Sequence, residues 1–176
     1  ACPEHGVSIH ELEPRMFSFN NPFGACERCT GLGTFMQVDP ALILPNKDLT
    51  IRKGAIKASG WYYAEGSISE MYYVGLGKEY GFTLDTPIKD MSAKAVNAIL
   101  YGTGGKRIEM YRENEFGSNR YLNEFEGVVN NLERRFRETS SEWMKEGIAT
   151  VMNGVNCPDC HGQRLKPTSL AVTVGG

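Results

Sequence analysis

The sequence predicts an α+β fold, in which a base held by paired cysteines carries an inserted α+β subdomain of helices plus a β-hairpin. Three observations support this prediction: two Cys-x-x-Cys motifs that lie far apart, helical periodicity between them, and two strand-like segments joined by a turn containing Gly117. The 176 residues are 41% hydrophobic and 23% charged. This composition is typical of a folded domain and excludes a wholly disordered chain.

The cysteine motifs indicate a structural zinc site. Cys26 and Cys29 form one pair, Cys157 and Cys160 form the other, and each pair is followed two positions later by glycine. Two sulfurs on a tight turn can point at one ion, and four thiolates suit tetrahedral Zn²⁺ with no open position for water. A redox pair or buried small side chains would be the alternative. The total of five cysteines argues against a closed disulfide framework.

The distance between the two cysteine pairs predicts the domain organisation. Residues 30–156 separate them, which is 127 positions. Zinc would therefore staple a base made of residues 1–33 and 153–176, and residues 34–152 would form the inserted domain. A metal clip offsets the entropy cost of closing so long a loop.

Cys2 and His5 form a possible second metal half-site. Three interpretations stay open from the residues alone: Cys26 and Cys29 complete the site, a partner pair lies upstream, or Cys2 is a free thiol near a frayed terminus. Because the sequence does not begin with Met, we expect it to be a fragment of a longer protein.

Local patterns predict the secondary-structure elements in order. Strands are expected over residues 16–20 and 170–174. Helices are expected over residues 67–80, 93–101 after an N-cap at Ser92, 126–138, and from a capping box at Thr139 and Glu142 to about 152. A β-hairpin is expected from residues 107–112 and 119–124.

Basic residues cluster locally in a chain whose formal net charge is −2. Arg134, Arg135 and Arg137 lie in one predicted helix, and three guanidinium groups on an exposed helix can hold phosphates. The predicted hairpin could extend this patch through Lys106, Arg107, Arg112 and Arg120. The alternative is a solvated face neutralised by Glu133 and Glu138. Any surface for nucleic acid must be local, since the whole domain would not attract a polyanion.

Several function classes find no support in the sequence. Residues 102–106 are glycine-rich, but they lack the first glycine and the Ser or Thr of a phosphate-binding loop. The triad and zinc-protease motifs of hydrolases do not occur, so we expect no catalytic residues and no enzyme activity here. No apolar run approaches the ~20 residues that span a bilayer, and no signal peptide is apparent.

Five motifs resemble the UvrA family of the ABC excinuclease system, over essentially the whole chain: ELEPRMFSFNNP (11–22), GACERCTGLG (24–33), FEGV (125–128), ERRFRET (133–139) and CPDCHGQRL (157–165). The family is the damage-recognition ATPase of bacterial nucleotide excision repair, a cytoplasmic process that belongs to the SOS response.

The resemblance implies the part of the first signature domain that carries the insertion domain, which contacts damaged duplex DNA without sequence preference. It also implies that the pair matching Cys2 and His5 closes a zinc site with an upstream pair, although His5 replaces the more usual Cys. The ATP and Mg²⁺ sites, the homodimer contacts and the main surface for the UvrB partner would lie outside this chain, so ATPase activity would belong to the parent protein.

A zinc-knuckle protein-interaction module of the DnaJ type is the competing hypothesis, because its cysteine-rich region also uses Cys-x-x-Cys-x-Gly-x-Gly. Closely spaced repeats would favour it, whereas here two pairs stand 127 positions apart. A metal-dependent enzyme is disfavoured because the expected ligands are all thiolates.

Overall fold

The computed structural model of the chain describes residues 11–173, and it confirms the α+β class. Two compact units divide the chain: unit 1 is Ala1–Gln37 with Gly154–Gly176, and unit 2 is Val38–Asn153. The strands are β1 (Thr34–Val38), β2 (Arg107–Asn114), β3 (Gly117–Glu124) and β4 (Met152–Asn156). The helices are α1 (Pro40–Ile43), α2 (Ile68–Tyr80), α3 (Ala93–Tyr101), α4 (Val128–Glu138), α5 (Glu142–Ala149) and α6 (Pro167–Leu170).

Serine caps start α2, α3 and α5 of unit 2. The hydroxyl oxygen of Ser67 accepts from the N–H of Glu70 at the start of α2, and Ser92 does the same for Ala95 in α3. Each cap satisfies an N–H that has no partner inside its helix. Gly81, with φ of +81°, ends α2 in the left-handed conformation that favours glycine. The predicted helices over 67–80 and 93–101 are confirmed.

Strands β2 and β3 form an antiparallel hairpin that is longer than predicted. The ladder runs from Arg107 opposite Glu124 to Asn114 opposite Gly117, so the turn is reduced to two residues. Ile108 and Met110 are buried on one face of β2. Gly75 of α2 allows this close packing, since a Cβ there would lie 2.6 Å from Met110 Cγ. The hairpin is therefore anchored to α2 near its base.

The core of unit 2 contains a cluster of aromatic rings together with fully buried aliphatic side chains. Trp61 packs edge-to-face on Phe125 with ring centroids 5.3 Å apart, and the fully buried Tyr73 donates its hydroxyl to the backbone oxygen of Trp61 at 2.6 Å. Leu132 of α4 and Ile148 of α5 have no exposed surface. The predicted helix over 126–138 is confirmed with a start at Val128.

Unit 2 also brings its own two ends together. The backbone N–H of Asp39 donates to the backbone oxygen of Val151 at 2.9 Å, and the side-chain amide of Asn153 donates to the Asp39 carboxylate at 2.7 Å. The sheet order pairs β1 with β4, and β2 with β3. Among residues 11–173, no helix is long and apolar enough to cross a membrane.

Two strand predictions and one capping prediction are wrong. Residues 16–20 are not a strand, because Pro14 starts a 3-10 helix over Pro14–Phe17. Residues 167–170 form α6, which begins at a proline, and no strand follows over 171–173.

The cap of α5 is Ser141 and not Thr139. Thr139 closes α4 through its N–H to the Arg135 backbone oxygen, and its hydroxyl accepts from the N–H of Ser141. Since α5 ends at Ala149, the helix is also shorter than predicted.

Candidate metal centre and nucleic-acid interface

Four buried cysteines of unit 1 converge on one point. The Sγ atoms of Cys26, Cys29, Cys157 and Cys160 all lie within 4.8 Å of one another, and each residue is at most 2% exposed. Cys26 and Cys157 place their sulfurs 3.9 Å apart, and Cys29 and Cys160 place theirs 3.7 Å apart. A tetrahedron with metal–sulfur bonds of ~2.3 Å has edges of about 3.8 Å. The four thiols are therefore positioned to hold a metal ion.

The two cysteine turns reach this arrangement through matching backbone conformations. After each pair the chain takes two consecutive left-handed residues, Thr30 and Gly31 with φ of +51° and +82°, and His161 and Gly162 with φ of +52° and +85°. Glycine adopts this region at no steric cost, which explains the trailing glycine in both motifs. The left-handed turns direct backbone N–H groups back toward the cysteines.

Hydrogen bonds join the two turns and one of the sulfurs. The N–H of Cys157 donates to the backbone oxygen of Gly33 at 2.8 Å, and the N–H of Cys26 donates to that of Arg164 at 2.9 Å. The N–H of Gly33 donates to Cys29 Sγ at 3.2 Å. Each turn is therefore held in place by the backbone of the other. The matching cysteines of the two turns are 131 positions apart in the sequence.

The surroundings of two thiols shift their pKa values in opposite directions. Burial raises the pKa of Cys29, but hydrogen bonds from the Gly33 N–H and neighbouring thiols outweigh it, and the pKa falls to about 7. At Cys26 the Cys29 backbone N–H lowers the pKa, while burial and hydrogen bonds with Cys29 and Cys157 thiols raise it to a net value of about 11. Metal binding needs thiolates, so the cluster begins with one group that is readily deprotonated.

The predicted half-site of Cys2 and His5 lies outside the described residues.

The three arginines of α4 lie in three different environments. Arg134 is held between two carboxylates: its Nη2 and Nε donate to Glu126 at 2.7 and 3.2 Å, and its Nη1 donates to Glu138 at 3.0 Å. This guanidinium lowers the pKa of Glu126. Half-buried Arg135 donates instead to neutral acceptors, the Ser59 backbone oxygen at 2.9 Å and the Asn131 side chain at 3.4 Å.

Arg137 is exposed at the end of α4 and, within residues 11–173, forms no ion pair. Arg134 is thus already neutralised, whereas Arg135 and Arg137 keep their full charge.

The cations of the hairpin divide in the same way. Lys106 pairs with Glu79, and Arg120 pairs with Glu109 at 2.6 Å. Arg107 is exposed and forms no ion pair in the described part of the chain. Arg112 is half-buried, and its Nε is fully buried with no hydrogen-bond partner among residues 11–173. Charge that is free to bind phosphate is therefore concentrated on fewer residues than the sequence suggests.

Two features of this surface had no clear sequence signal. Glu126 lies eight positions before its partner Arg134, so the pairing depends on the turn at Gly127 and is not a helical spacing. Trp143 in α5 is 79% exposed, and the residue types around it do not reveal which side of α5 the core covers. Glu138, by contrast, stands four positions after Arg134, a spacing that the sequence displays.

Comparison with known proteins supplies the family. Residues 39–150 match the model of the UvrA DNA-binding domain. The whole chain is 46% identical to UvrABC system protein A from Mesorhizobium japonicum, and 49% identical to UvrABC system protein A from Clostridium perfringens. It spans 18% and 19% of those relatives, about a fifth of their length.

The fold leads to the same family. The crystal structure of UvrA2 from Deinococcus radiodurans superposes with a TM-score of 0.72 at 26% identity, covering 97% of this chain and 21% of that one. The family match over residues 39–150 includes α4, α5 and the hairpin described above. The chain therefore belongs to the UvrA DNA-binding domain family.

Proposed function

We propose that this chain is the zinc-stabilised insertion domain through which a nucleotide-excision-repair protein contacts duplex DNA, without preference for sequence. The family match over residues 39–150 carries the proposal. The unpaired cations of α4 and of the hairpin support it, because phosphate contacts give affinity without reading bases. No observation favours the DnaJ-type interaction module.

The four cysteines of unit 1 would hold zinc as a structural ion. Four thiolates complete a tetrahedral site and leave no position for a catalytic water, and zinc bound there would supply stability by cross-linking the two turns. The spacing of 3.7 and 3.9 Å between opposite sulfurs fits this ion. The cysteine turns themselves contribute the backbone hydrogen bonds that keep the thiolates in position.

The phosphate contacts would come from the cations that lack a carboxylate partner. Arg137 and Arg107 are exposed, and Arg135 and Arg112 are half-buried. Arg134, Lys106 and Arg120 would contribute less, because each already pairs with glutamate. A small number of contacts on a chain of net charge −2 implies modest affinity, with a salt slope of about 0.9 for each contact.

The experiment is a titration of two duplexes of unrelated sequence, repeated at several salt concentrations. The proposal expects similar affinities for both duplexes and a linear fall of log K with log salt. Binding that is insensitive to salt, or an absence of binding at low salt, would contradict it.

Metal analysis tests the zinc assignment, and it separates the two candidate sites. A chain shortened to begin at Val7 lacks Cys2 and His5, and it should still hold about one zinc. Loss of all zinc from the shortened chain would instead favour a site built from Cys2, His5, Cys26 and Cys29.

The longer relatives set the wider context of the proposal. We infer that the parent protein is a cytoplasmic ATPase that dimerises and binds UvrB, and that these activities belong to regions beyond this chain. The share of about a fifth of the relatives' length supports this inference, since most of the parent lies elsewhere.

A further inference from the structure

The exposed indole of Trp143 has no structural role that the described contacts account for. It is 79% exposed, whereas Trp61, the other tryptophan, is 8% exposed and donates its Nε1–H to Asn131 at 2.9 Å. Tryptophan is highly buried on average in folded proteins, and aromatic side chains at the surface of proteins that bind single strands serve as platforms on which bases stack. Other side chains attach α5 to the core, since Ile148 is fully buried and Met144 packs against the core cluster.

Trp143 is the second residue of α5 and Arg137 is the second-last residue of α4, and only residues 139–141 separate the two helices. Gly147 lies one turn beyond Trp143 in the same helix. A Cβ at Gly147 would lie 3.6 Å from Ser59 Oγ, and the backbone oxygen of Ser59 accepts from Arg135 Nη1. The loop around Ser59 therefore contacts both the last turn of α5 and Arg135, whose hydrogen-bond acceptors among the described residues are neutral.

The charges around Trp143 favour binding of a DNA phosphate at the end of α4 over binding along α5. Glu142 and Glu146 flank Trp143 on α5, and Lys145 lies 3.7 Å from Glu142. On α4, which packs against α5, Arg135 and Arg137 have no carboxylate partner among the described residues. A polyanion would be repelled from the α5 carboxylates and attracted to the end of α4.

We propose that Trp143 stacks on an unpaired or displaced base of DNA whose phosphates are held by Arg135 and Arg137. This inference rests on the proposed function and specifies the ligand at that surface. An indole face accepts any base, so the contact adds affinity for unstacked bases without adding sequence preference. A fully paired duplex keeps its bases stacked and offers the indole no partner.

The test uses the whole chain with two probes of equal length, a single-stranded oligothymidylate and a fully paired duplex. Stacking should quench the fluorescence of the wild-type chain when oligothymidylate binds. In Trp143→Phe the remaining signal comes from buried Trp61, and it should not respond. Trp143→Ala should weaken oligothymidylate binding at least about fivefold, the lower end for loss of one stacked base. Its affinity for the duplex should stay within about twofold.

Tyr101→Ala is the matched control, because Tyr101 is an aromatic residue that is 46% exposed on α3. It should change neither affinity. Equal losses for both probes in Trp143→Ala, or no loss and no quenching, would overturn the stacking role. Salt-dependent duplex binding by the wild-type chain without any binding of oligothymidylate would overturn this inference and leave the proposed function standing. Failure to bind either probe would overturn both.

Discussion

Arg134 and Arg137 occupy the same helix, yet they should respond very differently to mutation when DNA binding is measured. Two glutamates enclose Arg134, so the group of Glu126, Arg134 and Glu138 carries a net charge of −1. Arg137 has no such partner among the described residues. Arg137→Ala should therefore remove one phosphate contact, whereas Arg134→Ala should remove none.

The size of the difference follows from counterion release. Each phosphate contact contributes about 0.9 to the slope of log K against log salt, so Arg137→Ala should reduce the slope by that amount. Between 50 and 200 mM salt, one contact of this kind changes affinity by about 3.5-fold. The affinity gap between the wild-type chain and Arg137→Ala should therefore shrink by about 3.5-fold over this range.

Fluorescence anisotropy with a labelled duplex at four or more salt concentrations measures both slopes. Arg134→Ala should keep the wild-type slope, and Glu126→Gln should raise affinity because it releases one of the two partners of Arg134. Thermal unfolding of each variant checks that the fold is intact. An equal change of slope in Arg134→Ala and Arg137→Ala would refute the idea that ion pairing within the domain decides which arginines meet DNA.

Three further predictions concern the stability of the fold. Gly147→Ala should raise the free energy of unfolding by about 1 kcal/mol, because alanine is the better helix former and its Cβ would make only ordinary contacts. Gly77→Ala in α2 should lower it, because the new Cβ would lie 2.3 Å from a backbone oxygen in the turn after the helix. Chemical denaturation of both variants tests this, and a shared sign would contradict it. Cys160→Ser should open unit 1 and leave the core of unit 2 folded, so limited proteolysis should first cut near residues 22–34 and 153–166; uniform digestion would show that the metal site organises the whole chain.

The elements that the sequence predicts well are those fixed by local chemistry. Ser92 caps α3 because its hydroxyl oxygen accepts a hydrogen bond from an N–H only three residues away. In α2 the buried positions repeat at helical spacing. The N-cap of α5 is harder to predict, since Thr139 and Ser141 both have hydroxyl groups. The choice depends on where α4 ends, because Thr139 is the C-cap of α4. Pro167 begins the short helix α6, and this helix takes the place of the start of the strand that the sequence predicts over residues 170–174.

The site was predictable to the extent that it depends on spacing. The cysteine pairs with their trailing glycines predict two similar turns, and the structure contains them. The availability of each arginine was not predictable, because Glu126 meets Arg134 through a turn and Ser59 meets Arg135 across 76 positions. Exposure of Trp143 likewise depends on which side of α5 the core covers, and that is a property of tertiary packing.

The hydrogen bond from the Asp39 N–H to the Val151 backbone oxygen joins the two ends of unit 2. A second bond, between Cys157 and Gly33, closes the remainder of unit 1 in the same manner. Where the two ends of an insertion are already neighbours, its length and contents can change over evolution without reopening the host around it. Unit 2 could be exchanged for a short turn, or for the equivalent segment of a relative, while the four thiols keep their positions. Lineages could thus remodel the DNA-facing surface independently of the metal centre.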